Sequence, residues 1–425
     1  MLTPKKYKKR LIEGKITSYL KTFGAVCIDG PKWCGKTWTS LHHSESVCYL
    51  ADPEDGFANR TKANINPAYV LDGKTPRLID EWQEVPEIWD AVRFSVDKKP
   101  EKGQFILTDS STPVRKGILH SGAGRIGIVH MQTMSLYETG DSTGQVSLGD
   151  LFTDTLKTTL CKKTDLKELI YFCIRGGWPA NMKAKEKEAA LAAKEYLNLL
   201  LDNDIENPGG IRYDKRKLHA LLHSLARNES TVVSNATLRS DMLKYDETSA
   251  DPNTISTYLD ILFRLFLIEE QPSFNPHLRS SRRILTSPKR HFTDPSLAAA
   301  ALQATPEMLF DDLKTFGFLF EALCEHDLKI YADVLGGTLY HYRDAKGKEI
   351  DAVIELENGV WGGFEIKLGA HQVDEAAENL IAIRSIIEKE EGTAPAFLCV
   401  LCGTADIAYK RKDGVFVVPL TSLGP

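Results

Sequence analysis

The chain has 425 residues, enough for two or three domains, with 42% hydrophobic and 26% charged residues and a formal net charge of −5. No apolar run approaches the ~18 residues that a membrane-spanning helix needs, so the pattern reads as a soluble protein with no membrane partner. The acidic balance argues against a uniformly basic nucleic-acid binder and leaves local basic patches open.

The first residues, "MLTPKKYKKRLIEGK", are basic but lack an apolar stretch and small-residue cleavage site, so a cytoplasmic location is expected. Eight cysteines sit mostly inside apolar runs such as "YFCI" and "FLCVLC", which predicts buried thiols. Cys399 and Cys402 form a C-x-x-C, but no second pair at zinc spacing accompanies them, which speaks against a metal or redox role.

From Gly24 to about Glu138, short apolar segments alternate with amphipathic ones: "AVCIDG", "SVCYLAD", "PRLIDEW", "GQFILTDSS" and "RIGIVHMQ". This alternation predicts an α/β domain with a largely parallel sheet. After the first strand comes "GPKWCGKT", Gly30-Pro31-Lys32-Trp33-Cys34-Gly35-Lys36-Thr37, which satisfies G-x-x-x-x-G-K-[ST] between a strand and a helix. Backbone N–H groups of such a loop cradle phosphates, Lys36 would reach the β and γ phosphates, and the Thr37 hydroxyl would ligate Mg²⁺. The acidic half of the pattern is "RLIDEW", where Asp80 would hold the magnesium shell and Glu81 would polarise the attacking water. ATP and Mg²⁺ are therefore the expected ligands.

A polar link, "TGDSTGQVSLGD", precedes mostly helical patterns around "CIRGGWPA", read as a helical lid, with Arg175 as a lid residue able to reach a phosphate. Three helical periodicities and a strand follow, the third helix starting at Asp251-Pro252. That order fits a winged helix-turn-helix offering residues 252–264 to a DNA groove. Next, "HLRSSRRILTSPKRHF" gathers Arg279, Arg282, Arg283, Lys289 and Arg290, a run able to neutralise nucleic-acid phosphates.

The last segment resumes mixed character: a helix around "FGFLFEALCEHDLKIYA", then strand-like "GTLYHYRD", "EIDAVIEL", "VWGGFEIKLG" and "AFLCVLCG". Asp351 lies on one strand and Glu365 and Lys367 on the next, two apart and so on one side of it. Asp351 and Glu365 could share a Mg²⁺, Lys367 could orient the attacking water, and Glu321 on the preceding helix would complete the acidic set. The bland reading is a structural ion-pair network.

The front half, through "FILTDSS" and "GAGRIGIVHMQTMSLYE", resembles prokaryotic AAA+ type ATPases. That resemblance implies that Thr108 or Ser110 senses the γ-phosphate and that Arg125 is an arginine finger or sensor. An arginine acting in trans would require a homo-oligomer. Asp109 stands where the family commonly has a small residue, so a carboxylate near the γ-phosphate puts the hydrolysis rate in doubt. The order Glu, Asp, Glu-x-Lys resembles the PD-(D/E)xK nuclease superfamily. With "FTDPSLAAAAL" and "GFLFEALCEHDL", nearly the whole chain looks like prokaryotic AAA+ ATPases carrying a winged helix and a restriction-endonuclease-like domain. The expected organisation is an ATPase core with lid over residues 1–205, a winged helix and basic connector over 206–290 and a nuclease-like domain over 291–425. The function it implies is a magnesium-dependent ATPase whose nucleotide state controls a half acting on DNA. The alternatives are a nucleotide-gated binding module without efficient hydrolysis or cleavage, or a regulator using the winged helix alone.

Overall fold

The computed structural model describes residues 2–110, 118–204, 214–245, 252–281, 283 and 286–425. The chain forms two compact units, one of residues 1–133 with 264–266 and one of 134–263 with 267–425.

The first unit is built on five parallel strands: β1 (Ala25–Asp29), β2 (Ser46–Tyr49), β3 (Arg77–Asp80), β4 (Phe105–Thr108) and β5 (Ile126–His130). Their spatial order is β2-β3-β4-β1-β5. Both faces of the sheet are covered, which is why the strands read as apolar runs rather than as alternating patterns. Ala25 and Cys27 of β1 join Ile79 and Leu107 in one core, and Val26 and Ile28 join Leu78, Ile106 and Val129 in the other. In this order β1 lies between β4 and β5, with β3 beyond β4, so the carboxyl ends of β1, β3 and β4 lie side by side.

In the second unit, seven strands follow the order β10-β11-β12-β13-β15-β14-β7. They are β7 (Thr159–Leu160), β10 (Gly337–Arg343), β11 (Glu349–Leu356), β12 (Trp361–Lys367), β13 (Phe397–Cys402), β14 (Ile407–Lys410) and β15 (Phe416–Pro419). β10, β11 and β12 pair antiparallel, β12, β13 and β15 pair parallel, and β14 and β7 close the edge antiparallel. The helix Leu313–Val334 starts where Asp312 accepts the Thr315 N–H, and it lies on β10, β11 and β12. The helix Val373–Lys389 buries Ala376, Ala377, Leu380, Ile383 and Ile387 in the core beside β12 and β13. All eight cysteines are buried and free.

Three sequence expectations are corrected. The first boundary falls after Thr133, not near residue 205. The polar stretch read as a link folds against the chain's last residues: Ser142 Oγ donates to the Leu423 carbonyl at 2.6 Å, and β6 (Val146–Ser147) pairs with β16 (Leu423–Gly424). The segment read as a lid also belongs to the second unit, where the Gly177 N–H donates to Asp294 Oδ2 at 2.8 Å and Trp178 Nε1 to Ser296 Oγ at 2.9 Å. A side chain at Gly177 would meet the Met134 carbonyl oxygen at 2.0 Å, so only glycine allows this approach.

The three helical periodicities form helices Lys215–Arg227, Asn235–Tyr245 and Pro252–Arg264. β8 (Ile268–Gln271) and β9 (Lys289–Phe292) then pair antiparallel. Asp251, expected to start the third helix, lies outside the described residues, as does Arg282. Among the described residues no helix is long and apolar enough to cross a membrane.

Candidate functional site

The glycine-containing loop leaves the end of β1 in a conformation that its residue types permit. Gly30 and Gly35 have φ of 141° and 104°, and Trp33 also sits at positive φ. A Cβ on Gly30 would lie 2.3 Å from the Met131 carbonyl oxygen, so the loop start requires glycine on steric grounds too. The helix Lys36–His42 begins at Gly35 without a side-chain cap. Lys36 is buried, and its Nζ donates to the carbonyls of Gly30 at 2.9 Å and Pro31 at 2.7 Å.

Thr37 Oγ1 donates to Asp80 Oδ1 at 2.9 Å, across from the end of β3. Thr108, at the end of β4, donates to the same oxygen at 2.7 Å and accepts the Glu81 N–H at 3.2 Å. Burial raises the Asp80 carboxyl above its ordinary value, while the Thr108 and Thr37 hydroxyls pull it down. Glu81 holds a left-handed backbone, φ 57°, and its Oε2 accepts from Ser110 Oγ at 2.9 Å and from Gln83 Nε2. The structure thus brings Lys36, Thr37, Asp80, Glu81, Thr108 and Ser110 to one end of the sheet. Thr37 and Asp80 offer hard oxygen donors on adjacent elements, a set that fits Mg²⁺.

Asp109 is buried among these groups. Its Oδ2 accepts from Trp82 Nε1 at 3.1 Å and from Cys27 Sγ at 3.8 Å, and its Oδ1 has no hydrogen-bond partner. Burial, with Asp29 adding to it, raises this carboxyl to about 7.

Sequence reasoning missed Arg10, which lay hidden in a basic run. It is buried and donates to the carbonyls of Cys34 at 2.8 Å, Gln132 at 2.9 Å and Thr133 at 3.1 Å. One guanidinium therefore braces the phosphate loop and the chain after β5. No local signal separated it from its lysine neighbours.

Arg125 is not at this site. It precedes β5, whose Ile126 pairs with Ala25 at the amino end of β1, about 16 Å of strand from the loop. Its Nε donates to Asp97 at 2.8 Å. A role toward the phosphates of its own chain is therefore set aside. Arg175, read as a lid residue able to reach a phosphate, is buried in the second unit, donates to Asp141 Oδ2 at 2.7 Å and lies against the rings of Tyr171 and Phe172.

The second cluster does assemble. Lys367 Nζ lies 2.9 Å from Glu365 Oε1 and 3.7 Å from Asp351 Oδ2, and the Ile366 N–H donates to Asp351 Oδ2 at 2.7 Å. Glu321 is not open to a metal, because Lys289 Nζ donates to its Oε1 at 2.7 Å. Among the described residues no group of three or more His, Cys, Asp or Glu has the arrangement to hold a metal ion. A shared magnesium at Asp351 and Glu365 does not fit two carboxylates that already face the Lys367 ammonium.

Of the basic run, Arg279 is exposed and Arg282 lies outside the described residues, while the other three are spent internally. Lys289 is buried, Arg283 makes a two-pronged pair with Glu355 at 2.8 Å on both arms, and Arg290 donates to Glu270 at 3.2 Å and to the Val233 carbonyl. On the helix Pro252–Arg264 the exposed positions include Ser256, Thr257, Asp260 and Arg264, one cation against one carboxylate.

Residues 22–140 match the family described as an AAA domain; residues 166–308 and 316–423 match two families described only as domains of unknown function. Uncharacterized proteins of Mycobacterium tuberculosis and Mycobacterium bovis are each 23% identical over 345 residues, covering 80% of this chain and 70% of theirs. Among solved structures, a Walker-type ATPase of Pyrococcus abyssi covers 71% of this chain and 99% of its own, at 12% identity and a TM-score of 0.44. RuvB of Thermotoga maritima covers 72% and 99%, at 16% identity and a TM-score of 0.29. With its parallel sheet and phosphate loop, the stretch 22–140 is an AAA-type ATP-binding domain.

Proposed function

We propose that this protein is a magnesium-dependent ATPase whose nucleotide cycle acts on its second unit. The observation that carries the reading is the convergence of Lys36, Thr37, Asp80, Thr108 and Glu81 at the carboxyl ends of β1, β3 and β4. Lys36 would exchange its two carbonyl partners for phosphate oxygens. Thr37 and Asp80 would hold Mg²⁺, which neutralises charge on the β and γ phosphates. Glu81 would leave Ser110 to orient the attacking water, and Thr108 would keep Asp80 in place. Arg125, on the far end of the sheet, would serve a nucleotide only from a neighbouring copy.

A second reading, a nucleotide-gated binding module with slow hydrolysis, is favoured by Asp109 beside the loop. DNA is the partner to test for the second unit, since three helices followed by paired strands support a winged-helix reading. The Lys289–Glu321 pair, which occupies part of the acidic set, favours binding without cleavage.

The deciding experiment measures ATP and Mg²⁺ binding and turnover for the wild type, Lys36→Ala and Glu81→Gln, with and without duplex and single-stranded DNA. Binding lost in Lys36→Ala, and turnover reduced about 100-fold or more in Glu81→Gln with binding retained, supports the ATPase reading. Binding without turnover in the wild type supports the gated module. No nucleotide binding in the wild type sinks both.

A further inference from the structure

Lys289 is the first residue of β9, inside a stretch whose sequence suggests a solvated basic face, yet its side chain is only 3% exposed. An ammonium has three N–H donors, and each has an oxygen here: Glu321 Oε1 at 2.7 Å, Glu325 Oε1 at 3.0 Å and the Asp351 carbonyl at 3.0 Å. Glu321 and Glu325 are one turn apart on the helix Leu313–Val334, so both carboxylates point to one place. Glu325 is held further by Ser230 Oγ at 3.1 Å, and His291 Nδ1 lies 3.5 Å from it and 3.2 Å from Glu229. On the neighbouring strand Lys367 stands between Asp351 and Glu365, and Asn379 Nδ2 reaches Glu365 Oε2 at 3.4 Å.

Two carboxylates and a backbone carbonyl converging on one buried point are the donor set of a divalent cation. We infer that the Lys289 ammonium is the resident cation of this cluster, standing where a metal ion would otherwise be bound, so that the second unit is a metal-independent element. Burial opposes the charge on Lys289, but the surrounding acids outweigh it and raise the ammonium above its ordinary range. The inference is independent of the ATPase reading.

The test is a nucleotide-free Mn²⁺ titration of the whole chain, followed by the electron paramagnetic resonance signal of free Mn²⁺, with melting temperatures in parallel. The wild type is expected to bind no Mn²⁺ at this cluster up to about 1 mM, and its melting temperature to stay unmoved. Lys289→Ala is expected to melt lower and to recover at least half of the loss with Mn²⁺ or Ca²⁺. Lys289→Ala with Glu325→Gln is expected to lose that recovery. Wild-type Mn²⁺ binding that disappears in Asp351→Asn or Glu365→Gln would overturn the inference, as would a folded Lys289→Ala indifferent to divalent ions. If Lys289→Ala does not fold, the wild-type titration beside Asp351→Asn decides alone.

Discussion

Thr108 Oγ1 donates to Asp80 Oδ1 at 2.7 Å, the same carboxylate oxygen that Thr37 Oγ1 reaches at 2.9 Å. The hydroxyl at the end of β4 thereby fixes the acid at the end of β3 against the helix that follows the phosphate loop. Thr108→Val keeps the shape but removes the donor to Asp80 and the acceptor of the Glu81 N–H. A stability loss of about 1–3 kcal/mol is expected, with a raised magnesium requirement and reduced turnover. Titrating activity against Mg²⁺ for both proteins checks it; an unchanged requirement would show that Thr108 does not position Asp80.

Asp109 gives a pH dependence of defined sign. Its folded carboxyl is raised to about 7 by burial, so between the ordinary aspartate range and 7 the folded chain holds a proton that the unfolded chain has lost. Stability therefore falls as pH rises through that window and levels off above it, by an amount on the order of a few kcal/mol. Asp109→Asn keeps an acceptor for Trp82 and removes the titration. Its melting temperature is expected to exceed the wild type's at pH 8 by more than at pH 5, and its ATP affinity at pH 8 to rise. Melting curves at both pH values are the check, and a pH-independent difference would contradict the assignment.

Arg10 reaches three carbonyls with one planar fork, a geometry that lysine does not reproduce. Arg10→Ala is expected to cost about 3 kcal/mol and to weaken ATP binding about tenfold or more, with Arg10→Lys recovering part of the stability but little of the affinity. Calorimetric titration of the folded variants separates the two effects.

Arg283 and Glu355 form a largely buried pair, and the Glu355 hydrogen bonds raise the Arg283 guanidinium further. Arg283→Ala is expected to cost about 2 kcal/mol or more, because it strands the carboxylate. Any DNA affinity should keep its salt slope; a slope reduced by about one would instead mark Arg283 as a phosphate contact.

How far the sequence could be read follows from the range of the interactions. β1, β3 and β4 were legible because apolar runs end directly in "GPKWCGKT", "DE" and "TDSS", and strand and chemistry share one local signal. Glu365 and Lys367 were legible as a pair because strand alternation places them on one side, and Asp351 joined them through the resemblance carried by the Glu, Asp, Glu-x-Lys order. Lys289 was not, since "SPKRHF" reads as solvated and only the fold shows Glu321 and Glu325 above it. The first boundary was missed for a related reason: β6 and β7 have two residues each, too few for periodicity, and their partners lie more than 240 residues later.

Those two short strands also set an order of events during synthesis. Thr159 and Leu160 await Ala408 and Ile407, and Val146 and Ser147 await Leu423 and Gly424. The first unit's sheet is complete once His130 has been made, whereas the second unit's seven-stranded sheet waits for Pro419 and its small β6–β16 pair for Gly424. For that interval Leu169, buried in the finished protein and packed beside Gly403, lacks part of its cover, and the nascent chain is at its most exposed to aggregation and to chaperones.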